Sequence, residues 1–534
     1  MDDGEATPGE LLTLAELAAR ETLDDLEIGP ALDWIAQLVD RAGDDANEPG
    51  LKKALAWADV IEAKSPGDRV ISILNYFRAN AWANLERLKH QAGGDAVRWS
   101  WEQPEAEQQI LCLRTALNSP GFSKVQLGRK CQILTNLAGQ LSTAGRPVEA
   151  LEAWGRALSL VPNFWMARGN RGVALKHYGL AVHDPGHQAA FLLFAHWDLD
   201  AASNPDPETL SWGDPAILPY FEAHKRHIEG GADLKTIEER LKLDDHSLGR
   251  SGSERSYRTW CLRERLFLNP LNDLGDHTIA ARDVLTLPDF ITSFDEPPVV
   301  TGFFNQMKQE FVSARWEFYL GVTAHSPHFS DRDVLLYNTL DYPAYGLAVE
   351  RMKSAYKYAY SLFDKIAFFL NHYLTLGIRP TGVSFRSIWR EKNGDPIHPI
   401  RETFRQSENW PLRGLFWLSK DLFDEHQKVV TDPDAQALHE LRIHLEHRYV
   451  KVHEMMLGPV PMGDKPDPFF DTLAYRISRR SLEERTLRLL KLVRAALIYL
   501  SLAMHCEEQR RRKERGEGLT MPMALDPWRD SWKI

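Results

Sequence analysis

The sequence predicts an all-α protein, with a solenoid of paired helices in its first half and a helical bundle in its second. Three observations predict this. Apolar residues recur at spacings of three and four along most long windows, which is the period of one helical face. Between Asn136 and Asn163, small residues, a turn glycine and a closing proline follow one another in the order of a helix pair. From Val300 onward long apolar stripes return, interrupted by a few proline- and glycine-bearing loops.

Composition sets the outer bounds. A chain of 534 residues has room for two to four domains, and 43% hydrophobic with 10% aromatic residues describes a globular protein. A net charge of -11 argues against a protein coated in nucleic acid but leaves room for one local basic site. Cys112, Cys131, Cys261 and Cys506 are far apart and form no CxxC or Cys/His zinc spacing, so no disulfide framework is expected and a reducing cytoplasm fits. His325 and His328 (HSPH) lack a third ligand nearby, and no glycine-rich phosphate loop, GxSxG elbow or HExxH occurs. The reading therefore includes no metal and no cofactor. Residues 1–15 read as a disordered acidic N-terminus, unlike a signal peptide. The most apolar run, Ala495 to Met504, is too short to span a bilayer, so no membrane partner is expected.

Residues 16–205 are expected to form helical repeats. In NLAGQLSTAGRPVEALEAWGRALSLVPN, Ala138 takes the small position of the first helix, Gly145 the turn, and Ala150 and Ala157 the small positions of the second. Trp154 is its aromatic and Pro162 ends it. Small residues let two helices approach, and the aromatic fills the gap between neighbours. This segment resembles a tetratricopeptide (TPR) repeat. Weaker copies occur around Ala54–Pro66 and Ala116–Pro120. Another spans Gly172, Gly179, Ala190, Phe194 and Trp197, read with an insertion at His183. Trp154 and Trp197 are read as core packing. A solenoid offers a concave face for a protein or peptide partner. Residues 206–300 read as a connector of helices and loops, in which NPLND looks like a rigid turn.

Residues 301–515 read as a bundle and 516–534 as a tail. Phe303–Val322 and Gly346–Gly377 are long helices, Ser384–Trp410 is mostly loop, and Arg413–Asp424 is a short helix. The stretch Ala437–Met456 then reads as one amphipathic helix on the stripe Leu438, Leu441, Leu445, Tyr449, Val452 and Met456. Around that stripe stand Arg442, His444, His447, Arg448, Lys451 and His453. Histidine moves protons near neutral pH and arginine grips phosphate. That pairing suits phosphodiester cleavage. The closing helix carries twelve Lys/Arg against five Asp/Glu between Arg476 and Arg515. Such a face attracts a phosphate backbone, and it also reads as an ordinary solvated face.

The spacing Arg442-x4-His447 (RIHLEH) resembles the Arg-x4–6-His signature of the HEPN superfamily, whose members are helical bundles and in many cases metal-independent ribonucleases. A second frame, Arg448-x4-His453, has the same spacing. Ile443 stands where the family often has a polar residue. The resemblance covers roughly Tyr337 to Arg515. It implies an RNA substrate, with Arg442 stabilising the phosphate and His447 moving the proton. His444, Glu446, Arg448 and His453 are possible supporting groups, and Lys451, Arg476, Arg479 and Arg480 candidates for binding RNA. Side chains five apart leave a regular helix about 140° apart. Meeting over one phosphate then requires a kink, a long reach by the arginine, or a second copy. The resemblance implies the last, a homodimer with a shared cleft. It also implies control by the repeats, as in proteins of stress response and phage defence. The alternative is a non-catalytic scaffold or RNA-binding adaptor, in which Arg442 and Glu446 form a plain i,i+4 ion pair.

Overall fold

The computed structural model describes residues 11–293, 295–391, 399–423, 430–454, 471, 473–516 and 520–533. Consecutive helices pair along the first half: Ile28–Asp44 with Glu48–Ala63, Asp68–Arg98 with Pro104–Asn118, Leu127–Thr143 with Pro147–Leu160, and Trp165–Ala181 with Pro185–Ser203. Ala138, Ala150, Ala157 and Trp154 are all buried where these helices meet. Two details differ from expectation. Residues 182–184 are a short turn rather than an insertion, because Asp184 caps the next helix through the His187 N–H (2.7 Å). Trp197 lies on the surface beside Phe194 and is not core. The array also runs past residue 205, since helix Leu218–Gly231 packs on the last pair.

The second half gathers around the closing helix, Arg479–Arg515. Leu489, Leu490 and Leu492 through Met504 are buried, so the apolar run that is too short for a bilayer becomes the bundle axis. Against it pack Val299–Val322, Leu347–Tyr373 and Trp410–Ser419. No helix among the described residues is long and apolar enough to cross a membrane.

The two halves share one core. Trp101 of the first half sits among Trp389, Phe404 and Phe416, with ring centroids 5.4–6.2 Å away. The turn glycine Gly145 has φ +90°, and a Cβ there would lie 2.2 Å from the Trp410 carbonyl oxygen. A glycine is required twice over, by its left-handed backbone and by the close approach of the bundle. The NPLND turn is a buried 3-10 segment that seats Arg494 of the closing helix. The guanidinium donates to the carbonyls of Phe267 (2.6 Å) and Asn269 (2.9 Å) and to Asp273 Oδ1 (2.6 Å).

One prominent expectation fails. The motif helix does not reach Met456, which lies outside the described residues; it spans Ala435–His447 and breaks at Arg448 (φ −135°, ψ −139°). Val450–His453 form strand β1, parallel to strand β2, Tyr475–Ser478. The Tyr475 N–H donates to the Tyr449 carbonyl (3.0 Å), and on the other side the Ala344 N–H donates to the Val452 carbonyl (2.7 Å). Val450 and Val452 favour this pleated state, and partners distant in sequence supply its hydrogen bonds. Lys451 and His453 are therefore not on the helix, and the Arg448-x4-His453 frame runs from a helix end into a strand. Arg476 and Ile477 belong to β2, and the closing helix starts at Arg479.

Candidate functional site

The site helix, Ala435–His447, is anchored from three sides. Leu438 and Leu441 are buried beneath it, and the Tyr356 hydroxyl donates to the Leu438 carbonyl (2.6 Å). Arg488 pairs with Asp432 and Asp434 just before its first turn. The paired helices of the first half reach it too: Arg114 Nη1 donates to the Thr431 carbonyl (3.0 Å), and both guanidinium nitrogens grip buried Asp421 (2.6 and 3.0 Å). Thr431 Oγ1 also donates to Asp421 (2.7 Å), and buried Arg146 pairs with Asp421 and Glu149. Burial alone would raise the Asp421 carboxyl, but Arg114 and Arg146 overcome it and hold it far below the carboxylate range.

Arg442 and His447 both lie on this helix, as expected. Arg442 Nε donates to both oxygens of Glu446 (3.3 Å each), and Nη2 lies 3.5 Å from Asp364. Its guanidinium sits over the Tyr360 ring, 4.4 Å from the centroid. Burial opposes the charge on Arg442, but Tyr360, Asp364 and Glu446 outweigh it and raise its affinity for the proton. Asp364, on helix Leu347–Tyr373, is pushed up by burial and held back by the Phe385 N–H and Arg442.

His447 is open, with its side chain 72% exposed and Nε2 3.7 Å from Glu446 Oε2. One carboxylate thus stands between the guanidinium and the imidazole. The wide angle between the two side chains is bridged within a single copy of the chain, by the residue between them. His444 is committed elsewhere. Its Nδ1 lies 2.8 Å from the Glu440 carbonyl and its ring lies against Tyr475 (5.1 Å).

The other expected residues scatter. Lys451 is 4% exposed and is compensated by Asp341 (2.8 Å) and Asp471 (3.1 Å), which raise its pKa against the cost of burial. His453 is 2% exposed; burial, and Arg476 beside it, favour its neutral form. Arg479 pairs with Glu454 (3.2 Å) and Glu483 (2.9 Å), and Arg480 with Glu484 (2.8 Å). Much of the closing helix's positive charge is therefore spent inside the protein: Arg488, Lys491, Arg494, Arg510 and Arg511 are all ion-paired as well. Sequence reasoning missed Tyr360 and Asp364. Their one signal is the spacing of four that continues from buried Tyr356 along the same helix. Among the described residues no cluster of His, Cys, Asp or Glu could hold a metal ion.

No curated protein and no solved structure matches the chain. Residues 291–507 match the family model described as LA2681-like HEPN, a span that begins well before Tyr337 and encloses the site helix and most of the closing helix. That match identifies this segment of the chain as a HEPN domain.

Proposed function

We propose that this protein is a metal-independent endoribonuclease whose reacting groups are Arg442 and His447, with its repeats acting as a regulatory arm. The HEPN domain points to a nuclease or RNA-related role, and this family commonly has ribonuclease activity. The observation that carries the finer reading is the Glu446 carboxylate, within 3.7 Å of both an open imidazole and a partly open guanidinium.

In this reading Glu446 is a placeholder for the phosphate. An arriving phosphodiester displaces the carboxylate from Arg442, and Glu446 turns to orient the His447 ring. His447 takes the proton of the 2′-hydroxyl as that oxygen attacks phosphorus, and a protonated histidine returns one to the departing 5′-oxygen. Within one copy the same imidazole acts in turn; in a homodimer the partner's imidazole supplies the second proton. Arg442 stabilises the charge gathering on the phosphoryl oxygens. The products are a 2′,3′-cyclic phosphate and a 5′-hydroxyl, and DNA resists because it lacks the nucleophile.

A second reading, a non-catalytic adaptor that docks RNA or a protein, is favoured by one observation. Arg442 is already satisfied by Glu446, Asp364 and Tyr360, as a structural arginine would be. Incubation of the purified chain with total RNA in EDTA separates the two. The nuclease reading expects cleavage that His447→Ala abolishes; the adaptor reading expects none, or cleavage indifferent to that change.

A further inference from the structure

A cavity of about 370 Å³ opens in the first half, between helix Leu127–Thr143 and the turn at Ser211 and Trp212. It lies outside the family-matched span 291–507. No acidic residue lines it. Arg129 does, and its guanidinium lies over the Tyr76 ring, 4.2 Å from the centroid, with the Phe77 centroid 5.6 Å away. This guanidinium makes no ion pair or hydrogen bond among the described residues. Burial pushes the Asp40 carboxyl up and Arg129 pulls it back, yet the two form no ion pair. Trp212 shares the lining. Its carbonyl accepts from Gln132 Nε2 (2.9 Å), and its ring lies beside Phe164, 6.0 Å between centroids. Gly128 lets the helix close on the indole, since an added Cβ would stand 3.1 Å from it. The Trp212 Nε1–H has no acceptor among the described residues.

The arginines that serve the fold look different. Arg114, Arg146, Arg315 and Arg494 each meet a carboxylate within 3 Å. Arg129 has an aromatic face instead, which attracts the cation but satisfies none of its five N–H groups as an oxygen would. Such a guanidinium suits a carboxylate or phosphate, which it binds through two parallel hydrogen bonds. The volume sits near the lower end of small-molecule pockets, ~300–1,000 Å³. It has room for one ring with its acidic group and too little for a helix or a strand. The fixed indole offers that ring an apolar surface beside the charge. A cationic ligand meets no acid here, and a wholly apolar one leaves both free donors unused.

We propose that this cavity binds a small molecule carrying an oxyanion on a flat ring, with Arg129 holding the oxyanion and Trp212 packing against the ring. A nucleoside monophosphate and an aromatic carboxylate share that chemistry. The site involves none of the groups assigned to cleavage, so it gives the helix array a ligand of its own and stands apart from the ribonuclease reading.

The test is isothermal titration calorimetry on the full chain with two whole ligands, adenosine 5′-monophosphate and indole-3-carboxylate. Their halves are titrated beside them: inorganic phosphate and adenosine, acetate and indole. At least one whole ligand binds on the order of ten-fold tighter than either of its halves. Preference for the monophosphate identifies a phosphate ligand and preference for the carboxylate an organic acid; both uphold the proposal. Arg129→Gln weakens the bound ligand on the order of ten-fold, and so does Trp212→Leu. Circular dichroism and the thermal midpoint of Arg129→Gln match the parent, so that variant decides even where Trp212→Leu disturbs the packing. Arg442→Ala leaves the affinity within about two-fold, because the ligand is not at the cleavage site. Four results overturn the proposal: no binding of either whole ligand at millimolar concentration, a half as tight as the whole, affinity indifferent to Arg129→Gln, or affinity lost in Arg442→Ala. No RNA enters the titration, so the ribonuclease reading stands or falls separately.

Discussion

Asp421→Asn puts the joint between the paired helices of the first half and the site under test. Asp421 is fully buried and receives Arg114, Arg146 and the Thr431 hydroxyl. Asparagine keeps the shape and removes the charge. Arg146 retains Glu149 and the Trp417 carbonyl, but Arg114 is left with the neutral Thr431 carbonyl and with Asp432 at 4.0 Å. Breaking a buried pair costs about 3–5 kcal/mol. With one of the two arginines still paired, the low end, about 3 kcal/mol, is expected. The loss should be local, because Thr431 leads straight into the site helix. Native-state hydrogen exchange followed by mass spectrometry should show residues 435–447 exchanging about a hundred-fold faster in the variant, with the far helix pairs of the first half little changed. The pH dependence has a definite sign. Asp421's folded pKa lies below its unfolded value, about 3.9, so its contribution is full above that value and fades as pH falls toward the folded pKa. The gap between parent and variant is therefore flat from about pH 5 to 8 and closes only below about pH 4. Unchanged protection of residues 435–447, or a gap that varies across neutral pH, refutes the coupling.

Two further outcomes follow from the same geometry. Gly145→Ala meets both a positive φ and the Trp410 carbonyl, so it should destabilise the contact between halves by about 2–4 kcal/mol, read as a lower thermal midpoint and less soluble protein. Glu446→Gln removes the anion that competes for Arg442. RNA should bind about two- to five-fold tighter, matching the ~0.3–1 kcal/mol of a partly exposed pair, while turnover falls because His447 loses its orienting partner. Tighter binding with unchanged turnover would show that Glu446 does not orient the ring.

The helical architecture was legible because its causes are local. Ala138, Ala150, Trp154 and Ala157 show their roles in their spacing, and all four are buried where that spacing puts them. Arg442 and His447 were legible as a pair on one helix. The end of that helix was not. Leu445, Tyr449 and Val452 continue a stripe of three and four, while Val450 and Val452 equally fit the alternation of a strand. Tyr475–Ser478, some 25 residues away, decides the matter by supplying a ladder. The environment of Arg442 was hidden for a related reason. Tyr360 and Asp364 reach it only through packing between helices, and Asp364 by itself is one acid on a helix flank. Asp421 in SKDLFD gives no hint in sequence that two arginines from the first half, Arg114 and Arg146, converge on it. The strong positive count of the closing helix was legible but incomplete, because beyond the helix's own glutamates it is neutralised by Glu152, Asp273, Asp432 and Glu454, from outside the helix.

The most direct measurement is the end chemistry of RNA cut by the purified chain in EDTA. The account predicts fragments ending in 2′,3′-cyclic phosphate and beginning with 5′-hydroxyl, no action on DNA, and loss of cutting in both Arg442→Ala and His447→Ala variants of unchanged helicity. Cutting that survives both substitutions, or 3′-hydroxyl and 5′-phosphate ends, would contradict it.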